Sequence, residues 1–347
     1  MVSLFRRDRW PIWAGGVLGV AILAWLLRDV DVPRLVEIVR EADVRPLVLL
    51  PLAIAAEQLV RAVKWRLLLA PLCSVRIGRL FSAIMVGYLA NVVTPVRVSP
   101  LVRAWLVARS AGQKVSTVLA TVVVDRLIDG WVYLGFAAAV AGTISFPDDE
   151  GMLRAGLRQG VAGVLVGLVG AVAALMALKW AIRRPPRLLG PIARRLPERV
   201  ARFIGEIARH FGRGVAVPGG AVGYLAVFGA SVAMKALSAT HFVWAGMAFG
   251  IVLAPVDYLF LMVFLGFLAT LAGTLRIVGG FTAGAVFALG LFGVGVEQAL
   301  VMALIVEVAS HLTVAAAGAG CLLAEGVSIG ELKRLGRRLE EREGKGT

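Results

Sequence analysis

Apolar residues run along this chain in long unbroken stretches, with polar residues gathered between them. The stretches fall near residues 11–27, 46–70, 78–94, 115–142, 160–181, 220–250, 256–275, 277–294 and 297–323. About 20 mostly apolar residues suffice for a helix to cross a bilayer core. Within lipid every backbone polar group must be satisfied internally, which leaves helices or closed barrels. The runs are continuous rather than alternating, so the pattern selects helices. The predicted fold class is all-α, a polytopic integral membrane helical bundle. Two further segments show helical periodicity with one polar face. Asp31-Val-Pro33 reads as a helix start, followed by Leu35, Val36 and Val39 on one face of a short surface helix. Leu196, Val200, Phe203, Ile204, Ile207 and Phe211 form the apolar face of a helix over 191–213, with Arg194, Arg195, Arg199, Arg202 and Arg209 opposite, the pattern of an interfacial helix on the cytoplasmic leaflet.

Composition agrees. The chain is 59% hydrophobic and 17% charged, against about 45–50% and about 25% in soluble domains. The formal charge of +15 lies mainly in loops, where it sets orientation and attracts anionic lipid, so the expected partners are membrane lipids and not nucleic acid. Cys73 and Cys321 have no metal-ligand neighbours in sequence and read as small apolar fillers. Arg6-Arg7-Asp8-Arg9 and the apolar run after it resemble a signal peptide, but Arg28, Asp29 and Asp31 follow instead of a small-residue cleavage site, so a retained signal-anchor helix is expected.

Loop charge predicts topology. Asp148, Asp149 and Glu150 dominate residues 143–159, whereas 179–219 carries ten Lys and Arg, from Lys179 to Arg213, against Glu198 and Glu206. The second loop is therefore cytoplasmic, as are the N-terminus and the basic tail. Nine full spans would put the termini on opposite sides. The economical solution is about six full spans plus two re-entrant hairpins, one over 78–110 broken at Pro95 and Pro100, the other over 256–294 broken at Gly279-Gly280. The predicted plan is an anchor and surface helix in 1–45, a first repeat in 46–142, a connecting span and basic helix in 143–219, an inverted second repeat in 220–324 and a basic tail in 325–347. The alternative makes 78–94 and 277–294 ordinary short spans.

The candidate chemistry is charge inside these runs. An ionisable residue at membrane depth costs roughly 2.5–3.5 kcal/mol on insertion scales and marks function or internal pairing. Glu57, Arg61 and Lys64 are spaced i, i+4, i+7 and share one helix face. Lys64 and Arg66 also sit where snorkelling towards the interface is open to them. Arg97 and Arg103 flank a segment in which Pro95 and Pro100 free backbone groups, and Arg suits bidentate phosphate contact. Asp125, Arg126 and Asp129 fall mid-span, with the two aspartates one turn apart and able to bridge to Arg61 or Lys64. In the second half Lys235 lies mid-span near His241, Arg276 precedes Gly279-Gly280, and Glu307 and His311 form an i, i+4 pair suited to proton transfer or to a structural pairing. No nucleotide-binding P-loop, metal-binding helix motif or nucleophile elbow occurs, so no cofactor and no catalytic activity are expected.

These motifs resemble the lysylphosphatidylglycerol synthase transmembrane, flippase-like family. Its Arg-x-x-Arg/Lys-Trp-Arg-x-x-Leu block is matched by Arg61-Ala-Val-Lys64-Trp65-Arg66-Leu-Leu-Leu69. Its Asn-x-x-x-Pro-x-Arg-x-Gly-Glu-x-x-Arg motif is matched at Asn91, Pro95, Arg97 and Arg103, and its Glu-Arg-x-x-Asp at Arg126 and Asp129 with Asp125 for Glu. A later Pro-Gly-Gly-x-Gly-x-x-Glu is matched only at Gly279 and Gly280. Ser99-Pro100 replaces Gly-Glu, and Val278, Thr282 and Ala285 replace Pro, Gly and Glu, so an acidic residue is missing at both hairpins. The resemblance implies packed helices and lipid translocation; the missing acids imply a different headgroup or coupling ion, and hopanoid-associated members of the family suggest a hopanoid.

The expectation is thus a multi-pass lipid transporter of a bacterial inner membrane, both termini cytoplasmic, moving a hopanoid, another isoprenoid lipid or a phospholipid. Arg61, Lys64, Asn91, Pro95, Arg97, Arg103, Arg276, Gly279 and Gly280 are the candidate substrate residues. Glu57, Asp125, Arg126, Asp129, Glu307 and His311 are the candidate gate or coupling residues. The rival reading is an accessory or scaffold of a glycosyl- or aminoacyl-transferase, with lipid-biosynthesis enzymes as partners.

Overall fold

The structure, a computed structural model, describes residues 30–93, 98–145, 155–170 except 157 and 168, 220–275 and 279–325, with isolated positions at 17, 21, 24, 27, 28, 173 and 330. The 191–213 helix, the basic 179–219 loop, the acidic 148–150 cluster, most of the N-terminal anchor and of the tail, and the site candidates Pro95, Arg97 and Arg276 lie outside the described residues. The named elements are all helices: α1 Val32–Glu41, α2 Val44–Leu69, α3 Ile77–Val93, α4 Ser99–Ala111, α5 Val115–Thr143, α6 Gly220–Ala248, α7 Pro255–Leu275, α8 Gly280–Gly290 and α9 Val296–Ala324.

Local chemistry explains the boundaries. Asp31 caps α1, its carboxylate accepting from the Arg34 amide at 3.3 Å, with Pro33 in the first turn. Asp43 accepts from the Arg45 amide at 2.9 Å and starts α2. Gly112, at φ 62°, ends α4 in the left-handed conformation that favours glycine, its amide bonding back to the Ala108 carbonyl. Gly279, at φ 73°, precedes α8 in the same way.

Helices α2, α6 and α9, of 26, 29 and 29 residues, are long and apolar enough to cross a membrane. On α2 the usual polarity is inverted. Leu52 and Leu59 are 61% and 49% exposed, whereas Arg61 and Lys64 are 5% and 0% exposed. A helix that turns leucine outwards and charge inwards is built for lipid on its outer face. Two pairs of consecutive helices pack together: α3 on α4, and α7 on α8. At 13 and 11 residues, α4 and α8 rise only about 20 and 16 Å.

The chain divides into two compact units. One comprises Met1–Ile54, Gly135–Val161 and Lys235–His311, the other Ala55–Leu134, Ala162–Met234 and Leu312–Thr347. Each draws on both the 46–142 and the 220–324 stretches. The first contains an aromatic cluster in which Phe260 meets Phe264 and Phe292 at 5.5 and 5.6 Å between ring centroids. The second is organised around Trp65, Leu68 and Leu69 of α2, packed with Leu80 and Ile84 of α3, Val102 and Val107 of α4, and Val118 and Val122 of α5. Gly318 brings α9 close to α3, since a Cβ there would lie 2.8 Å from both Leu89 Cβ and the Met85 carbonyl oxygen.

Candidate functional site

The second unit holds a closed cluster of charge. Arg61, Lys64 and Arg103 supply three cations, Glu57, Asp125 and Asp129 three carboxylates, and all six are buried. Helical spacing assembles it. Glu57, Arg61 and Lys64 share the inward face of α2, and Asp125 and Asp129 sit one turn apart on α5. Arg103 comes from α4, and Gly87 of α3 lets that helix in: a Cβ on Gly87 would lie 3.0 Å from Ser99 Oγ and 3.5 Å from Arg103 Cβ. Asn91 of α3 fixes the same turn, its side-chain oxygen accepting from the Ser99 amide at 2.9 Å.

Lys64 is the hub. Its ammonium lies 2.6 Å from Asp125 Oδ1 and 2.5 Å from Asp129 Oδ1, and donates to Ser231 Oγ of α6 at 3.2 Å. The contacts to Asp129 and Ser231 are hydrogen bonds and that to Asp125 is an ion pair. Lys64 does not snorkel; Arg66, two residues on and about 200° round the helix, is exposed. Arg61 donates to Glu57 Oε1 at 3.1 Å and to Gln58 Oε1 at 3.0 Å, and its Nη1 is 3.8 Å from Asp129 Oδ2. Arg103 is held more loosely, with Nη2 3.6 Å from Asp125 Oδ2 and its guanidinium carbon 5.2 Å from the Trp65 ring centroid. Trp65 is itself anchored, its indole N–H donating to Thr121 Oγ1 at 3.0 Å and that hydroxyl donating to the Val118 carbonyl at 2.7 Å.

Formal charge cancels in this cluster but hydrogen bonding does not. Among the described residues, Arg61 Nη1, Arg103 Nε and Nη2 and both Asp125 oxygens lack a hydrogen-bond partner although each is buried. Buried polar groups are normally satisfied, and exceptions mark strain, function or an additional partner. Two guanidinium groups with spare donors beside a carboxylate already shared by two cations can bind an anionic oxygen and can exchange partners.

The other candidates fall elsewhere. Among the described residues Arg126 forms none of the cluster's ion pairs and is exposed, because one residue along a helix rotates the side chain by about 100° from Asp125; it still lies within electrostatic reach of Arg103. Glu307 and His311 do not form a carboxylate–imidazole pair. Thr282 Oγ1 donates to Glu307 Oε2 at 2.7 Å, while His311 Nδ1 meets the Glu307 backbone carbonyl oxygen at 2.7 Å. That unit also contains Gly279 and Gly280, so Thr282, at the position where the resembled motif carries glycine, ties α8 to α9.

Sequence reasoning passed over Gln58, Ser231, Thr121, Gly87 and Tyr88, the last of which lies within electrostatic reach of both Arg61 and Arg103. Their common signal is a polar or small residue inside an apolar run, weaker than a charge but of the same kind. Among the described residues no group of three His, Cys, Asp or Glu side chains is arranged to hold a metal ion.

A family model described as the lysylphosphatidylglycerol synthase TM region matches residues 12–318 of the chain. No curated protein and no solved structure matches it.

Proposed function

Because the chain belongs to the lysylphosphatidylglycerol synthase transmembrane-region family, a multi-pass membrane family, we propose that it translocates a lipid between the leaflets of a bacterial inner membrane, with the buried charge cluster as the headgroup gate. The observation that carries this reading is the set of spare donors on Arg61 and Arg103 beside Asp125. In the resting arrangement Asp125 is shared between Lys64 and Arg103. An arriving anionic headgroup offers Arg103 a bidentate partner that the carboxylate at 3.6 Å does not. Arg103 then shifts to the headgroup, Asp125 remains with Lys64, and no charge is left alone at depth.

The short helices α4 and α8 are the inner arms of two hairpins that re-enter the membrane and let polar headgroups approach a broken backbone. A phospholipid is the favoured substrate, because guanidinium donors match phosphate oxygens; a hopanoid or other isoprenoid lipid carries fewer acceptors for them.

The test is reconstitution of the full chain in vesicles with fluorescent phospholipids and a hopanoid-type lipid, followed by leaflet exchange. Protein-dependent exchange that falls at least about tenfold in Arg103→Gln supports the reading. Absence of exchange across the panel overturns it in favour of an accessory role beside a lipid-modifying enzyme.

A further inference from the structure

A second polar site lies in the same unit, at the beginning of α3. A cavity of about 650 Å³ opens there between the α2–α3 connection, the first turns of α3, the end of α4 and the end of α9. Arg76, Arg79, Ser74, Ser82, Ser110 and Glu325 are its polar lining residues. None of them belongs to the Lys64 cluster.

Three features make this cavity a place for an anion. First, it faces a helix N-terminus. The Arg79 and Leu80 amides bond back to the Arg76 carbonyl at 3.1 and 3.2 Å, so the Ile77 and Gly78 amides before them have no acceptor within the helix. Gly78 lines the cavity. Second, charge at this helix end has the wrong sign for the helix alone. The first turn contains no acidic residue, yet Arg76 and Arg79 stand at the positive end of the dipole, which favours anions. Third, Ser82 follows Gly78 and Arg79 on the same face at i+4 and i+3. It is 7% exposed, and its hydroxyl finds no nitrogen or oxygen partner among the described residues. The Cys321 thiol beside it is a weak partner only.

We propose that this cavity is a phosphate-binding site distinct from the buried charge cluster, taking the phosphate of a lipid headgroup or free phosphate. Arg76 and Arg79 supply charge, the α3 amides and the Ser82 hydroxyl supply directed donors, and Glu325 competes. Its Oε1 is 4.0 Å from Arg79 Nε, so the carboxylate occupies Arg79 in the empty site and must give way when an anion enters. Two arginines against one carboxylate leave a net charge of +1 for the ligand. The site needs no translocation step and stands whether or not the chain moves lipid.

The test uses the full-length protein and two probes. Inorganic phosphate is titrated against protein in neutral detergent with thermal unfolding as the readout. Separately, nanodiscs of phosphatidylcholine with and without phosphatidylglycerol are compared for lipid retained by native mass spectrometry. Stabilisation by phosphate identifies a free-anion site, and retention of phosphatidylglycerol over phosphatidylcholine identifies a headgroup site; either supports the proposal. The double variant R76Q/R79Q is expected to weaken the response at least about tenfold, and E325Q to strengthen it about threefold. Because E325Q is a gain, it cannot be imitated by misfolding. Made on an Arg103→Gln background, in which the gate is disabled, R76Q/R79Q and E325Q are expected to shift the response by the same factors. The proposal is overturned if neither probe is preferred, or if R76Q/R79Q and E325Q both respond as the wild type does.

Discussion

The guanidinium of Arg103 lies over the indole of Trp65, 5.2 Å from the ring centroid, while its Nη2 is 3.6 Å from Asp125 Oδ2. The ring substitutes a diffuse negative face for a second carboxylate, and a desolvated cation–π contact is worth about 2 kcal/mol. This arrangement lets Arg103 be buried without being locked.

Trp65 is therefore the support on which the loose arginine rests. Trp65→Phe keeps an aromatic face but loses the indole donor to Thr121, and is expected to cost about 1–2 kcal/mol. Trp65→Ala also removes the face and opens a core cavity, with an expected cost of about 3–5 kcal/mol. Denaturant unfolding in detergent checks both. Equal costs for the two would show that the ring face contributes nothing.

Asp125 is shared by two cations, so neutralising it harms more than neutralising a singly paired acid. Asp125→Asn leaves Lys64 with Asp129 and Arg103 with no carboxylate within ion-pair distance among the described residues. Removing one partner of a buried pair costs about 3–5 kcal/mol. Adding Arg103→Met to that variant removes the orphaned cation and is expected to restore most of the loss. A double variant as unstable as the sum of the singles would mean the two residues do not interact.

Much of this arrangement was legible in the residue pattern. Continuous apolar runs gave the helices, because lipid allows little else, and i, i+4, i+7 spacing gave the charged face of α2. The pairing of the α5 aspartates with Arg61 and Lys64 followed from charge balance at depth. What escaped was rotation and partner choice. Arg126 looked equivalent to its neighbours because three adjacent charges read as one feature in one dimension, whereas a helix turns them to different faces. Glu307 and His311 have pairing geometry by spacing, but Thr282, 25 residues earlier, claims the carboxylate, and only packing reveals that. Trp65 and Gly87 act through shape, which the hydrophobic pattern does not encode.

Close approach of α9 to α3 rests on one missing side chain. Gly318→Ala would press a methyl against the Met85 carbonyl oxygen and Leu89 Cβ, each 2.8 Å away, whereas a Cβ at Gly320 meets nothing within 4 Å. Overpacking of this kind costs about 1–3 kcal/mol. Gly320→Ala is expected to be neutral or to stabilise by up to about 1 kcal/mol, through helix propensity. Thermal unfolding of the two variants side by side checks the contrast, and equal behaviour would contradict the contact.

The proposed re-entrant hairpins make a directional prediction. Single cysteines at positions 97 and 280, introduced after replacing Cys73 and Cys321 with alanine, are expected to react with bulky impermeant reagents from opposite faces of sealed vesicles. Labelling of both from one face would remove the inverted-repeat arrangement.

Arg126 and Arg103 offer the sharpest separation of gate from bystander. Both are arginines within the family-matched region, and in sequence Arg126 is the nearer to the paired aspartates. Arg126 is exposed, while Arg103 is 2% exposed beside Asp125. Arg126→Gln removes an exposed charge, and such changes usually stay within about 0.5 kcal/mol. Arg103→Gln removes the cation assigned to the proposed gate and leaves Asp125 with Lys64 alone. Leaflet exchange measured at equal reconstituted protein is expected to stay within about twofold of wild type for Arg126→Gln and to fall at least about tenfold for Arg103→Gln. Arg103→Lys keeps the charge but loses the fork, so its rate should fall between the two if bidentate contact with the headgroup matters. Loss of exchange in Arg126→Gln with retention in Arg103→Gln would move the gate out of the buried cluster and onto the exposed face of α5.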